Sequence, residues 1–436
     1  MSKEILDIAK EIISIKSTPY HELEVVNYIS NLLHKENIPH VFDEFNPGDY
    51  TNPPRKDLPK TANIYVELGS GNETLILYAH TDVVDAKQDL FKPFMKDGKL
   101  YGRGASDMKS SVAGLLHFLL NNYEKIKNKN KRILFSFIAD EETSATGTKR
   151  FIEWIKSKAI KNISCILMEP TDNFTKLENG GKGYCFLDIE GNMIDIIDSF
   201  KRIKQSKDQI LAKYPDKGDG FNAPTVELTK ISCSEIIKDT NIKFVEGKPN
   251  HASRPYENGA VNALELALKQ NENISYIITR DSEGPNTLPG KAFFITNNSK
   301  YHNLHCKAHI DIRTNLAADK KDAIIQDITN LISKNLKVNV RDKGNAYKTT
   351  DNQLIALCEK ASGEKIKILL ATGGSDAPYF LEITDKIVIF GPGTKKVIHT
   401  EEEFIEITAL EKTPQIIKNI VNEYLQGGIK WKSLNY

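Results

Sequence analysis

The amino-acid sequence predicts an α/β protein in which a mostly parallel sheet is flanked by helices and a smaller α+β domain is inserted into the larger one. In the first half, amphipathic helical patterns alternate with short apolar runs, as expected of a parallel sheet covered by helices. Between about 182 and 341 the order becomes strand-helix-strand-strand-helix-strand, typical of a small open-faced sandwich. The length of 436 residues also exceeds that of one ordinary domain.

The elements of the larger domain follow from periodicity. Helices are predicted where apolar residues recur at helical spacing. Strands are predicted where short runs are apolar on both faces, as in strands buried on both sides. The two late strands and the last helix are expected to return to the first sheet. The predicted helices are 3–16, 22–36, 109–125, 144–158 and 410–425, and the predicted strands are 75–79, 133–139, 163–168, 366–371 and 387–390.

The inserted domain is predicted to be ferredoxin-like. Its predicted strands are KGYCFLDIEG, AFFITNN, LHCKAHIDIR and LKVNVRD, and its predicted helices are VNALELALKQ and KKDAIIQDITNLISKN. The stretch of about 192–244, rich in Lys and Asp, fits neither pattern and is predicted to be an insertion with short helices of its own or an ordered loop. We therefore expect a catalytic domain formed by 1–181 and 342–436, and a lid or dimerisation domain at 182–341.

Composition excludes several classes of function. The 59 Lys+Arg and 58 Asp+Glu leave a formal charge of +1, so nucleic acid and anionic membranes are not expected partners. No stretch approaches the ~20 apolar residues of a membrane span, and the N-terminus is amphipathic, unlike a signal peptide. The five cysteines are odd in number and widely spaced, which indicates neither a disulfide framework nor a cysteine zinc site. A reducing, cytoplasmic location fits best.

Acidic residues and histidines cluster where predicted strands end. In open α/β sheets, ligands bind in the crevice outside the carboxyl ends of the strands. Imidazole and carboxylate groups are ligands that zinc prefers, and there are more of them here than one tetrahedral ion needs. Two ions bridged by a carboxylate would use them. The residues are His80 and Asp82 after LILYA, Asp107 in YGRGASDMKSS, Glu141 and Glu142 after LFSFIAD, Glu169 after CILM, and His399 after IVIFGPG.

The chemistry suggests a role for most of these positions. Asp82, two residues from His80, is placed to accept the second ring N–H of that histidine. Asp107 is the best candidate for the bridge. Adjacent residues point in different directions, so one of Glu141 and Glu142 can bind metal while the other serves as general base. Paired metals of this kind activate water and polarise a carbonyl, which predicts hydrolysis of an amide.

The chain resembles the co-catalytic zinc aminoacylases and carboxypeptidases, a family with a zinc-exopeptidase-like fold. The resemblance is carried, in family order, by YAHTDVV, YGRGASDMKSS, IADEETSATGT, MEPTD, NHASRPYENGAVNAL, HIDIR, ATGGSDAPYF and FGPGTKKVIHTEEEF. It does not cover 192–244. The resemblance implies hydrolysis of an N-acyl amino acid by a homodimer. The segment GGSDAP favours N-succinyl-diaminopimelate as substrate, with N-acetylornithine or another N-acetyl amino acid, and a dipeptide or peptide, as alternatives.

The resemblance also implies a ligand set for two zinc ions per subunit, for which cobalt can substitute. Asp107 would bridge the ions, and Glu142 and Glu169 would bind different ones. Glu141 would be the general base and Asp82 the partner of the ligating histidine. The peptide bond after Asp107 is expected to be cis. The implied ligands are His80, Asp107, Glu142, Glu169 and His399.

The resemblance further implies residues that contact substrate. His251 in NHASRP matches a histidine that family dimers donate to the partner's active site, where it stabilises the oxyanion. Arg313 and Ser375 match positions that hold substrate carboxylates. Lys182 stands in GGKG where a desuccinylase usually has arginine, so a point charge replaces a bidentate fork. Glu402 stands where asparagine is common. An expected asparagine is either Asn286 or Asn303. The alternative from another class, a catalytically silent dimer that binds acyl amino acids, would be expected to lack Glu141 or a ligand.

Overall fold

The computed structural model describes the chain in two compact units, each described here by itself. The larger unit comprises Met1–Gly180, Lys348–Ala371 and Ser375–Tyr436, and the smaller comprises Gly181–Tyr347 and Thr372–Gly374. The main segment of the smaller unit ends at Tyr347, beyond the expected 341. The residues after the strand Lys337–Asp342 stay with this unit, and the Tyr184 N–H donates to the Gly344 carbonyl. The described residues are 4–50, 54–127, 129–216, 223–233, 241–249, 252, 255, 259–280, 288–318, 321–342, 344–349, 351–371 and 373–427.

Helices and strands alternate along much of the chain. The helices are α1 (Ile5–Ser14), α2 (Leu23–Lys35), α3 (Lys109–Ile126), α4 (Thr146–Ser157), α5 (Met193–Leu211), α6 (Ala263–Gln270), α7 (Asp322–Thr329), α8 (Asn352–Ser362) and α9 (Ile407–Leu425). The strands are β1 (Val41–Phe45), β2 (Thr61–Leu68), β3 (Thr74–His80), β4 (Phe94–Lys96), β5 (Lys99–Tyr101), β6 (Arg132–Ile138), β7 (Ile163–Leu167), β8 (Lys176–Gly181), β9 (Gly183–Asn192), β10 (Thr225–Cys233), β11 (Lys243–Glu246), β12 (Ile274–Arg280), β13 (Lys291–Thr296), β14 (His305–Thr314), β15 (Lys337–Asp342), β16 (Tyr347–Lys348), β17 (Lys367–Ala371), β18 (Ile387–Ile389) and β19 (Phe404–Glu406).

The large sheet has the order β1-β2-β6-β3-β7-β18-β8-β16, and β17 also pairs with β8. Its central strands β6, β3, β7 and β18 are parallel, as predicted. Every residue of β3 is buried, because an apolar strand at the centre of a sheet is covered on both faces. The late strands β17 and β18 return to this sheet, which confirms the expectation. The strands β1 and β2, which extend it by antiparallel pairing, were not predicted.

The smaller unit contains a ferredoxin-like sheet, but not from all the segments predicted. Its four antiparallel strands have the order β10-β14-β9-β15. Along the chain the elements run β9, α5, β10, β14, α7, β15, which is the predicted strand-helix-strand-strand-helix-strand order. The segments VNALELALKQ and AFFITNN form α6 and β13 instead. β13 belongs to a separate sheet of order β11-β13-β12.

The interpretation of 192–244 as an insertion of short helices or a loop is therefore wrong. This stretch holds α5, a helix of 19 residues, and the edge strand β10 of the ferredoxin-like sheet. The helix buries a stripe at helical spacing that includes Ile196, Phe200 and Ile203. Lys and Asp on its other face concealed that stripe in the sequence. The additional segment of this unit is instead the one that carries β11, α6, β12 and β13.

The spacing of the cysteines indicated no disulfide framework, and it did not identify a pair that the structure joins. Cys233 and Cys306 lie opposite each other in the register of β10 and β14, and they form a disulfide. Their Cα atoms are 4.4 Å apart, the spacing of closely approaching cross-strand pairs. Cys165, Cys185 and Cys358 are free and buried. Strand register brings together residues 73 positions apart, which spacing along the chain does not indicate.

No helix among the described residues has both the length and the apolar composition that a membrane span requires.

Candidate metal centre and active site

The candidate site lies at the carboxyl ends of three neighbouring parallel strands of the larger unit. β3 ends at His80, and β6 is followed by Glu141 and Glu142. β7, on the other side of β3, is followed by Glu169. Parallel neighbours end at the same edge of a sheet, so the order β6-β3-β7 brings these side chains together. The sequence predicted this convergence.

The first ligand group consists of His80, Asp107 and Glu169, all buried, with one potential ligand atom from each within 4.8 Å of the others. The His80 Nε2 atom lies 3.2 Å from Asp107 Oδ1 and 3.7 Å from Glu169 Oε1. The Nδ1–H of His80 donates to the Asp82 backbone carbonyl at 3.0 Å. Because that carbonyl can only accept, it fixes which ring nitrogen carries the proton and directs Nε2 towards the two carboxylates.

The second ligand group consists of Asp107, Glu142 and His399. The His399 Nε2 atom lies 3.3 Å from Asp107 Oδ2 and 3.2 Å from Glu142 Oε2. Asp107 thus belongs to both groups, with Oδ1 facing His80 and Oδ2 facing His399. One carboxylate with an oxygen in each group has the arrangement that a bridging ligand requires.

The loop that carries His399 is brought to Asp107 by a close backbone approach. Gly393 has a φ of 85°, and a Cβ at that position would lie 2.9 Å from the Ser106 Cα. The Ser106 hydroxyl accepts the Thr394 N–H at 3.1 Å and donates to the Phe404 carbonyl at 2.7 Å. Only glycine permits this approach, and it sets His399 beside Asp107 although the two are far apart in the chain.

The donor set fits divalent cations. Among the described residues no hydrogen-bond partner reaches the buried Oε1 atom of Glu169. Burial and nearby negative charge outweigh His80 and raise the pKa of Glu169 to about 7, and burial and Asp107 raise the pKa of Glu142. Burial favours the neutral form of Asp107, but the two histidines hold its pKa below the usual range. Buried carboxylates in such a group need positive charge beside them, and histidine and carboxylate ligands suit zinc.

Asp82 does more than the sequence predicted. Its Oδ1 accepts the N–H of Glu141 at 3.0 Å, and its Oδ2 accepts the N–H of Glu142 at 2.9 Å. The same Oδ1 lies 3.6 Å from His80 Nδ1, farther than the backbone carbonyl that this nitrogen reaches. Asp82 therefore orients His80 mainly through its main chain, while its side chain holds the backbone of both glutamates.

Glu403 likewise holds the backbone of the loop that carries Asp107. Its Oε1 accepts the N–H groups of Ser106 and Asp107, each at 3.0 Å, and its Oε2 accepts from Arg103 at 2.5 Å. The peptide bond between Asp107 and Met108 is cis, as expected. Sequence reasoning missed Arg103 and Glu403, although both stand in motifs that carry the family resemblance, GRGASD and HTEEEF.

Glu141 belongs to neither ligand group. Burial, and next the charge of Asp376, raise the pKa of its carboxyl well above the usual range. Asp376 is itself buried and accepts from the hydroxyls of Tyr78 at 3.0 Å and Thr148 at 2.6 Å. Ser375, expected to contact substrate, is buried and its hydroxyl accepts the Ala377 N–H at 3.4 Å. Glu402 is exposed.

The remaining predicted residues belong to the smaller unit. The Arg313 guanidinium pairs with Asp311, with Nε at 2.6 Å from Oδ1 and Nη2 at 2.8 Å from Oδ2, and stacks 4.7 Å from the centre of the Tyr184 ring. This pairing orients the guanidinium and neutralises part of its charge. Lys182 is half-buried and Asn303 is exposed. His251 and Asn286 lie outside the described residues, so the choice between the two asparagines stays open.

The central parallel strands carry at their carboxyl edge two histidine and carboxylate groups joined through one aspartate, which is a donor set that suits a metal-dependent hydrolase. The chain belongs to Peptidase family M20/M25/M40, whose sequence profile matches residues 76–423. The family resemblance inferred from the motifs is confirmed.

Relatives and solved structures agree with this assignment. The chain is 26% identical over 442 residues to a succinyl-diaminopimelate desuccinylase of Wolbachia pipientis subsp. Culex pipiens, covering 97% of this chain and 94% of the relative. An M20 family metallo-carboxypeptidase from Sulfolobus solfataricus has a similar fold, with a TM-score of 0.60, 15% identity and coverage of 97% and 100%. A dinuclear metal-binding M20 peptidase from Bacillus subtilis has a TM-score of 0.57 at 11% identity, with coverage of 97% and 98%. These structures confirm the fold class.

Proposed function

We propose that this protein is a dinuclear zinc hydrolase that cleaves the amide bond of an N-acyl amino acid, with N-succinyl-diaminopimelate as the favoured substrate. The products would be succinate and diaminopimelate. The observation that carries the proposal is the position of Asp107, whose two carboxylate oxygens each face a different ligand group. The choice of substrate is supported by relatives named succinyl-diaminopimelate desuccinylase, at 26% and 28% identity.

The residues that would hold the ions are those of the two groups. His80 and Glu169 would bind one ion, Glu142 and His399 the other, and Asp107 both. When bound, the two ions polarise the scissile carbonyl and lower the pKa of the attacking water. Cobalt is expected to substitute for zinc, because both accept this set of nitrogen and oxygen ligands.

Glu141 is proposed as the general base. It adjoins the ligand Glu142 but is not part of either group, and its backbone N–H is held by Asp82 at 3.0 Å. In this role its carboxylate takes a proton from the attacking water and returns it to the nitrogen of the amine that leaves. The second proton of the water also ends on this nitrogen, so the balanced products are a carboxylate and an ammonium group.

We propose that substrate is recognised by the residues that the family resemblance implies. Arg313, Lys182 and Ser375 would bind substrate carboxylates, and His251 of a partner copy would stabilise the oxyanion in a homodimer. The guanidinium of Arg313 is preorganised for such a task by its pair with Asp311. The cytoplasmic location also stays a prediction.

A peptidase is the second candidate, since the metallo-carboxypeptidase named above shares the fold over 97% of this chain. The test is an activity panel of N-succinyl-diaminopimelate, N-acetylornithine and several dipeptides, with zinc or cobalt added. We expect the highest kcat/KM with N-succinyl-diaminopimelate. A preference for N-acetylornithine or a dipeptide would overturn the choice of substrate. Absence of hydrolysis of every amide by metal-loaded protein would overturn the proposed reaction and favour a binding protein.

A further inference from the structure

Glu22 is a buried carboxyl group that the proposed chemistry does not use. It lies just before α2, at the position of the helix N-cap, but its side chain makes no capping hydrogen bond to that helix. Its side chain is fully buried. Burying a carboxyl group is costly unless its oxygens find donors, so the contacts of Glu22 indicate what it does.

Those contacts lead to the segment that carries Glu141 and Glu142. The Glu22 Oε1 atom accepts the N–H of Asp140 at 3.1 Å and that of Tyr20 at 2.9 Å. Its Oε2 accepts from the Thr61 hydroxyl at 2.8 Å. The Tyr20 hydroxyl lies 2.8 Å from the Ser144 hydroxyl, a second link from the turn before α2 to the same segment.

Three consecutive backbone N–H groups are thereby held by two buried carboxyl groups. Glu22 holds that of Asp140, and Asp82 holds those of Glu141 and Glu142. Asp140 has a φ of 57°, in the left-handed region. A residue other than glycine adopts this conformation where surrounding contacts hold it. If Glu22 does not accept the Asp140 N–H, the first residue of this turn loses the contact that holds its backbone.

We propose that Glu22 is a positioning residue for Glu141 and Glu142, acting through the backbone N–H of Asp140. It touches no proposed ligand, and its effect on the reaction rests on the proposed function. Asp82, two residues after His80, holds the next two N–H groups of the same turn. The two carboxyl groups together fix the segment between the end of β6 and the start of α4. The direction of the Glu141 carboxylate depends on this segment, and a small displacement of a general base lowers the rate sharply.

The protonation state of Glu22 supplies a conservative variant. Burial, followed by the negative charge of Asp82, raises the pKa of Glu22 to about 8. The group is therefore mostly neutral at pH 7, with an Oε1 that accepts two N–H groups. Glutamine keeps the same acceptor and size, so E22Q retains the contact, whereas E22A removes it. E22D keeps a carboxyl group but is one methylene shorter.

Tyr28→Phe is a matched control on the same helix. The Tyr28 hydroxyl donates to Glu11 Oε2 at 2.5 Å and so joins α2 to α1. The Y28F change lowers stability without removing an acceptor from the Asp140 N–H. If Glu22 contributed only to stability, E22A and Y28F proteins with the same loss of stability would also show the same kcat and the same exchange rates.

The experiment compares wild type, E22Q, E22A, E22D and Y28F by hydrogen exchange of peptides spanning 138–146 and by steady-state kinetics of metal-loaded protein. For E22A and E22D we expect exchange at Asp140, Glu141 and Glu142 to be at least about tenfold faster. We expect kcat to be at least about tenfold lower, with KM within about threefold. E22Q should stay within about threefold of wild type in both, and Y28F should not accelerate exchange at these amides.

Unchanged exchange in a folded E22A or E22D protein would overturn the positioning role, as would equal kcat losses for E22A and Y28F. If E22A does not fold, E22D decides, because it keeps a carboxyl group but is too short to keep the contact. The exchange measurement needs no substrate. A wild type that hydrolyses none of the amides would therefore refute the proposed function, while the exchange rates still decide the role of Glu22.

Discussion

The Glu403 carboxylate accepts the backbone N–H of Asp107 at 3.0 Å, and so the aspartate shared by both ligand groups is held by a residue from the other end of the chain. Glu403 is itself paired with Arg103, and both are almost completely buried. The position of the proposed bridging carboxylate therefore depends on a buried ion pair.

Removing one partner of this pair is expected to destabilise the protein strongly. Arg103→Met or Glu403→Ala leaves a buried charge unpaired, and we expect a loss of about 3–5 kcal/mol in the free energy of unfolding by urea. The matched control is Asp57→Ala, which removes the exposed pair with Arg55. It should leave the free energy of unfolding nearly unchanged, because water screens an exposed pair. Equal losses for the buried and the exposed pair would contradict this account of Glu403.

Asp82→Asn is expected to weaken metal binding. The amide has one oxygen, so it cannot accept the N–H groups of both Glu141 and Glu142 as the carboxylate does. We expect affinity for cobalt to fall about 10–100-fold in a spectroscopic titration, the usual effect of losing a residue that orients metal ligands. Asp85→Asn, in an exposed ion pair with Lys16, is the control. Undiminished affinity in D82N would show that the two N–H contacts do not orient the ligands.

Glu141→Gln is expected to separate catalysis from metal binding. The amide cannot take a proton from water, so kcat should fall about 10²–10⁴-fold. Glu141 belongs to neither ligand group, so the metal content should stay that of wild type. Glu142→Gln should instead reduce the metal content, measured by elemental analysis. Full activity of E141Q on the substrate that wild type prefers would refute the assignment of the base.

Stability should depend on pH through Glu22. Burial and then Asp82, with Asp140 adding to them, raise its pKa in the folded state to about 8, above its ordinary value. The folded state then binds more protons than the unfolded state between those pKa values, so this contribution is complete at low pH and is lost as pH rises through about 8. E22Q does not titrate. The urea midpoint of wild type should therefore fall relative to that of E22Q as the pH rises from 6 to 9. If the two midpoints change in parallel with pH, the raised pKa is contradicted.

Hydrophobic periodicity in the sequence predicted much of the fold, but not all of it. The central strands of the large sheet are apolar on both faces, so β3, β6 and β7 were recognised. α5 was missed because Lys and Asp are interspersed among its apolar residues, so its buried stripe shows only when residues are taken at helical spacing. The disulfide between Cys233 and Cys306 depends on the register of β10 with β14, which composition does not specify.

The residues of the candidate site also divide into those that the sequence identified and those that only the structure identified. His80, Asp107, Glu142, Glu169 and His399 could be chosen from the sequence because ligand chemistry restricts residue type, and strand ends restrict position. Sequence reasoning gave no role in the site to Glu22, Arg103 or Glu403, although the last two stand in family motifs, and it assigned Asp82 only to His80. These side chains act on backbone N–H groups from distant parts of the chain. Any acceptor at the right place in space can serve a backbone N–H, so only the tertiary structure decides which residue holds each loop.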